Sequence, residues 1–79
     1  ALAAPELKRV SLELGGKSPN IVFTDCDLDQ AATSSPMSVF ANTGQDCCAR
    51  SRIFVERSIF DAFVDKFIAA MRGLRVGDP

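Results

Sequence analysis

Residues 58–73, SIFDAFVDKFIAAMRG, set Phe60, Phe63, Val64, Phe67, Ile68 and Met71 on one stripe at helical spacing, with Asp61, Asp65, Lys66 and Arg72 opposite. A helix of this kind must bury its stripe against another layer. The pattern predicts Ser58 as N-cap, Asp61 three residues later in a near capping box, and Gly73 as the stop. Core packing, rather than a cofactor box, is the plain reading of the helix's phenylalanines, Phe60, Phe63 and Phe67.

Elsewhere the apolar period is two. RVSLELGG alternates Val10, Leu12 and Leu14 against Ser11 and Glu13, which predicts a strand ended by Gly15 and Gly16. GKSPN reads as a turn, and NIVF as a second strand whose unbroken apolar character implies cover on both faces, as in a parallel or mixed sheet. In TDCDLDQAATSSPMSVFAN, Leu28, Ala31, Ala32, Ser35 and Val39 fall at helical spacing behind an acidic start, so a helix should begin near Asp27. Pro36 interrupts it. An interior proline removes a hydrogen bond and costs about 3 kcal/mol, which predicts a kink near Thr33 or two segments, with a stop by Asn42 or Gly44. SRIFVE then alternates Ile53 and Val55 against Arg52 and Phe54, a short strand. The order strand-strand-helix-strand-helix belongs to an α/β architecture.

With 79 residues the chain forms at most one small domain, and one of this size buries only about 60% of the surface its unfolded form exposes. Its three cysteines cannot all pair, and neighbours such as Cys47 and Cys48 rarely meet disulfide geometry. A reducing, cytoplasmic setting follows. Nine basic and ten acidic residues are interspersed for a net charge of −1. No basic stripe is available for phosphates, so nucleic acid is not an expected partner. No apolar run reaches the roughly 20 residues that span a bilayer, so no membrane is expected either. The opening ALAAPELKR lacks the pattern of a signal peptide, and the chain reads as a piece of a longer protein.

The chemistry concentrates in GQDCCA, residues 44–49. Cysteine is usually a small buried hydrophobe. Against that, polar Asn42, Thr43, Gln45 and Asp46 precede the pair, and Gly44 lets backbone approach a substrate closely. Amide groups after such a turn can stabilise a thiolate and a developing oxyanion. The chain has no histidine, so any base serving a reactive thiol must be something else. Glu13, before the Gly-Gly step, is a candidate base if buried at a sheet edge, and an ordinary solvent-facing glutamate if not. Cys26 lies between Asp25 and Asp27, but with no histidine and no Cys-x-x-Cys pair no metal site is expected.

Two of these stretches, LELGGKSPN around Glu13 and FANTGQDCCA around Cys47, strongly resemble the signature segments of the NAD(P)-dependent aldehyde dehydrogenases, in the same order and with a helix between. The likeness extends through SRIFVE, the following helix and the closing RVGDP. The resemblance implies that residues 1–79 are a partial catalytic domain, starting near its junction with a cofactor-binding domain that is not present. It implies Cys47 as nucleophile and Glu13 as general base, with Cys48 a variable neighbour and Leu14 and Gly15 near the nicotinamide. It further implies NAD or NADP as cofactor, held mainly by residues outside this chain, a small aldehyde as substrate, and a parent protein that forms homo-oligomers. Pro36 departs from the family, where many members carry an ordinary apolar residue. A second reading is a non-catalytic interaction module that docks through its C-terminal helix and keeps its cysteines buried. A third, a thiol redox sensor built on Cys47 and Cys48, lacks an identified resolving partner.

Overall fold

Strands β1 (Pro19–Val22) and β2 (Arg52–Val55) pair in parallel, with Pro19 opposite Arg52 and Val22 opposite Val55. Parallel neighbours need a crossover, and helix α1 (Leu28–Phe40) supplies it, followed by a tight 3-10 turn at Ala41–Gly44. A second 3-10 turn at Arg57–Ile59 leads into helix α2 (Phe60–Met71). The structure, a computed structural model, describes residues 3–78. None of its helices is long and apolar enough to cross a membrane.

One face of the sheet is covered. Val22, Ala32 and Phe63 form the buried centre, and Leu28, Ala31, Ile53, Val55, Ile59, Val64 and Phe67 pack around it. The alternation read from SRIFVE is observed, since Ile53 and Val55 turn inward while Arg52 and Phe54 face out. Phe63 is only 2% exposed, and burial of a side chain of that size contributes roughly 1.5–3 kcal/mol. Its ring stacks on Phe67 with centroids 5.9 Å apart. Asn20 Nδ2 donates to the buried Ser35 hydroxyl at 2.8 Å and ties β1 to α1. Lys66 pairs with Asp29 between the helices, an exposed contact of little energetic weight.

Four expectations are corrected. Residues 9–18 form no strand: a strand needs a ladder of backbone hydrogen bonds to a neighbouring strand, and no strand pairs with this segment among the described residues. The sequence NIVF is paired as Pro19–Val22 and is covered on one face only, with Ile21 58% exposed. Helix α1 runs uninterrupted through Pro36, which is fully buried. Packing there outweighs the local penalty of proline, while Thr33, Ser34 and Ser35 hydroxyls bond back to the carbonyls of Asp29, Gln30 and Ala31. Ser58 lies inside the second 3-10 turn, so α2 starts from Ile59 without a side-chain cap. The cap inferred for α1 is present, as Asp27 Oδ1 accepts from Gln30 N at 3.0 Å. The stop near Gly73 is also present, with α2 ending at Met71.

The Cα radius of gyration is 17.7 Å, whereas a compact domain of this length has about 12 Å. Part of the excess is the segment before β1, where Val10, Leu12 and Leu14 are all exposed. Ile21, Phe23 and Phe54 add an apolar surface on the open side of the sheet.

Candidate active site

Parallel pairing explains why two distant loops meet. The segment before β1 and the segment before β2 both enter the sheet from the same end, because Pro19 and Arg52 are level. Residues 14–18 therefore run beside residues 45–51. Arg52 fixes the arrangement: its Nε and Nη2 both donate to the Lys17 carbonyl, at 2.9 and 2.6 Å, and its guanidinium lies 5.5 Å from the Phe54 ring centroid.

The resulting cleft, about 390 Å³, is lined by Leu14, Gly15 and Gly16 on one wall and by Gly44, Gln45, Asp46, Cys47, Ala49 and Ser51 on the other. The two walls touch at Gly16, where an added Cβ would run into the carbonyl oxygen of Cys47. Only glycine permits that approach. Thus Cys47, Leu14 and Gly15, three of the four residues singled out in the sequence, share one cavity. Glu13 adjoins Leu14 but is exposed and is not among the lining residues. The burial that would suit it to a base is not supplied by the described residues, and neither is the strand expected to hold it.

The turn ahead of Cys47 is unusual. Asn42, Thr43 and Gly44 are all left-handed, with φ of 53°, 59° and 74°. A β-branched residue in that region is strained by roughly 1–3 kcal/mol. Local bonds hold it: Gln45 N donates to Asn42 O and Asn42 Nδ2 to Gln45 O, both at 3.0 Å. Beyond it, Asp46 Oδ1 accepts from Cys48 N at 2.8 Å, Ala49 N donates to Asp46 O, and Arg50 N donates to Ser38 O. The loop is thereby stitched to α1.

Cys47 and Cys48 are free and exposed, with sulfurs 3.8 Å apart. Their exposure contradicts the buried cysteines assumed by the interaction-module reading. Cys26 is partly buried and packs against the core. The Cys48 thiol is pushed above its ordinary range, first by its hydrogen bond with Cys47, then by the negative charge of Cys47 and of Asp46. Asp46, Cys47 and Cys48 also bring three ligand atoms within 4.8 Å of one another. A search for spaced cysteine and histidine motifs does not see such a cluster.

Comparison with known proteins agrees with the geometry. The model of the aldehyde dehydrogenase family matches residues 1–79. An aldehyde dehydrogenase of Davidiella tassiana is 53% identical over all of this chain, which spans 16% of that relative's length. The solved gamma-glutamyl-gamma-aminobutyraldehyde dehydrogenase of Burkholderia cenocepacia superposes with a TM-score of 0.82 at 56% identity, over 89% of this chain and 15% of that one. An indole-3-acetaldehyde dehydrogenase solved with NAD+ gives 0.85 at 48% identity, over 96% of this chain and 16% of that one. A family match along the full sequence, together with superposition of most of the chain on solved members, leads to one conclusion: the chain belongs to the aldehyde dehydrogenase family.

Proposed function

We propose that the full-length protein oxidises a small aldehyde to a carboxylic acid with NAD or NADP, and that this chain contributes the sulfur and the carboxylate. The observation that carries the proposal is the shared cleft, in which an exposed Cys47 faces the backbone of Leu14, Gly15 and Gly16. The cofactor of a structural neighbour, NAD+, supports the choice of oxidant.

The chain's own residues fit the reactive end of a nicotinamide. Leu14 is 69% exposed beside the sulfur, and nothing lies within 4 Å of where a Cβ on Gly15 would stand. A nicotinamide bound against that wall supplies the hydride acceptor. The dinucleotide's phosphates and riboses are assigned to a separate cofactor-binding domain, and residues 1–79 to part of the catalytic domain.

Cys47 attacks the aldehyde carbonyl carbon through its thiolate, forming a carbon–sulfur bond and an oxyanion. The Cys47 amide donates to no acceptor among the described residues, which leaves it free to hold that oxyanion. Loss of hydride from the same carbon leaves a thioester on Cys47. Glu13 takes a proton from water, whose oxygen attacks the thioester; the acid departs and the thiolate returns. The hydrogen bond with Cys47 and the negative charges of Cys47 and Asp46 disfavour the ionised form of Cys48. The Glu13 carboxylate reaches the thioester in the complete protein, where further chain covers the exposed segment. The isolated 79-residue chain does not turn over aldehyde. The three free thiols favour a reducing compartment, the cytoplasm, and the parent protein is a homo-oligomer.

The test is rapid-mixing kinetics on the full-length protein. Cys47→Ser should abolish reduced-cofactor formation, whereas Glu13→Gln should give one burst per subunit and then stall with an acylated Cys47 detectable by mass. Steady turnover by Cys47→Ser would reject the scheme.

A further inference from the structure

The turn that presents Cys47 carries two donors that aldehyde oxidation does not use. Asp46 and Cys48 place a carboxylate oxygen and a second sulfur around the first, all within 4.8 Å. The sulfurs are 3.8 Å apart. Two thiolates, each about 2.3 Å from a tetrahedral zinc ion, also stand about 3.8 Å from one another, so the pair already has the bite of a chelate. Asp46 Oδ1 is anchored by the Cys48 amide, and the Asp46 carboxylate enters no ion pair among the described residues. Its second oxygen is left for a ligand.

We infer that Asp46, Cys47 and Cys48 form a binding site for a thiophilic divalent cation of the zinc and cadmium class, with two thiolates, one carboxylate and an open position for water. Sulfur donors select such ions over magnesium or calcium. Both sulfurs bind as thiolates, so each ion taken up releases two thiol protons to solvent and no electron is transferred. The carboxylate oxygen not held by the Cys48 amide serves the ion, and all three residues are exposed. Asp46 lines the cleft that holds Cys47 and also a second cleft, about 240 Å³, that holds Cys48 and Arg50. The ion therefore sits on the ridge between two openings and is reached directly from solvent. Metal was not expected from the sequence, because spacing rules recognise separated ligand pairs; a tight turn makes adjacent ones converge. A bound ion occupies the lone pair that Cys47 needs for attack, and this consequence, inhibition, rests on the proposed role of Cys47. The binding itself does not.

The experiment uses the reduced full-length protein. Zn²⁺ is titrated by calorimetry, and Cd²⁺ by the ultraviolet absorption of sulfur-to-cadmium charge transfer, in wild type, Cys48→Ser, Asp46→Asn and Cys26→Ser. Since even an outer-shell partner is worth about 10–100-fold in affinity, Cys48→Ser should weaken Zn²⁺ at least tenfold and lose charge-transfer intensity. Asp46→Asn should weaken it less, and Cys26→Ser should match wild type. Equal affinity and equal absorption in wild type and Cys48→Ser would overturn the site, as would loss of binding in Cys26→Ser. Aldehyde oxidation is followed separately: Zn²⁺ bound through both sulfurs with undiminished turnover supports the site while counting against Cys47 as nucleophile.

Discussion

Gly16 and Cys47 meet backbone to backbone, and the space where a side chain would begin on Gly16 is taken by the Cys47 carbonyl oxygen. A methyl group there must push the two walls of the cleft apart, since neither contacting atom belongs to a flexible side chain. Gly16→Ala should therefore cost roughly 1–3 kcal/mol of stability through overpacking. It should also lower kcat/KM of the full-length protein by about 100-fold, the order expected for misplacing reacting groups by 1 Å. Thermal unfolding and steady-state kinetics check the two effects separately.

Arg52 holds the Lys17 carbonyl with two donors of one planar group. A lysine at 52 keeps the charge but not the fork or the stacking on Phe54. In Arg52→Lys, hydrogen exchange of the amides of the adjoining strand β1, residues 20–22, should accelerate, with about 1 kcal/mol of stability lost. Unchanged exchange would show that the loop is held by other means.

Cys48 should alkylate with a pH midpoint above that of an ordinary thiol, because its hydrogen bond to Cys47 and the nearby negative charges disfavour its ionised form. Removing the largest cause should reverse the shift. In Cys47→Ser the midpoint for Cys48 should fall, and in Asp46→Asn it should fall by less. Mass-resolved iodoacetamide labelling across pH measures both.

Thr43 pays for its left-handed backbone, φ 59°, with only a 2.6 Å bond from its hydroxyl to Asn42 O. Thr43→Gly removes the strain and that bond together. The net effect should be a gain of up to about 1 kcal/mol, seen as a higher Tm. A lower Tm would mean that the hydroxyl contact outweighs the strain.

Local physics made much of this fold legible. The Asp27 cap and the inward part of the stripe, Phe63, Val64 and Phe67, depend on neighbours in sequence and are present, while Phe60 and Ile68 of the same stripe stay exposed. The alternation of Val10, Leu12 and Leu14 misled because a strand also requires a partner edge, which no local pattern reports. Pro36 misled in the opposite sense: its penalty is local, while the burial that outweighs it is set by the tertiary fold. In the site, Cys47, Leu14 and Gly15 line one cleft, and Glu13 does not. The reason Gly16 must be glycine was not readable, since it depends on an atom 31 residues away (47 − 16). The convergence of Asp46, Cys47 and Cys48 was equally hidden, because adjacency says nothing about which way two side chains turn.

The parallel register has a mechanical corollary. The two walls of the cleft have no covalent link shorter than the whole crossover through α1, so their relative height is set by the pairing of Pro19 with Arg52. Sliding β1 by a single rung would carry the glycines past the sulfur by about 3.3 Å, roughly the length of a reacting contact. The four-residue ladder is thus a vernier for the chemistry, and lengthening or shortening α1 by one residue would misalign the site without touching any residue in it.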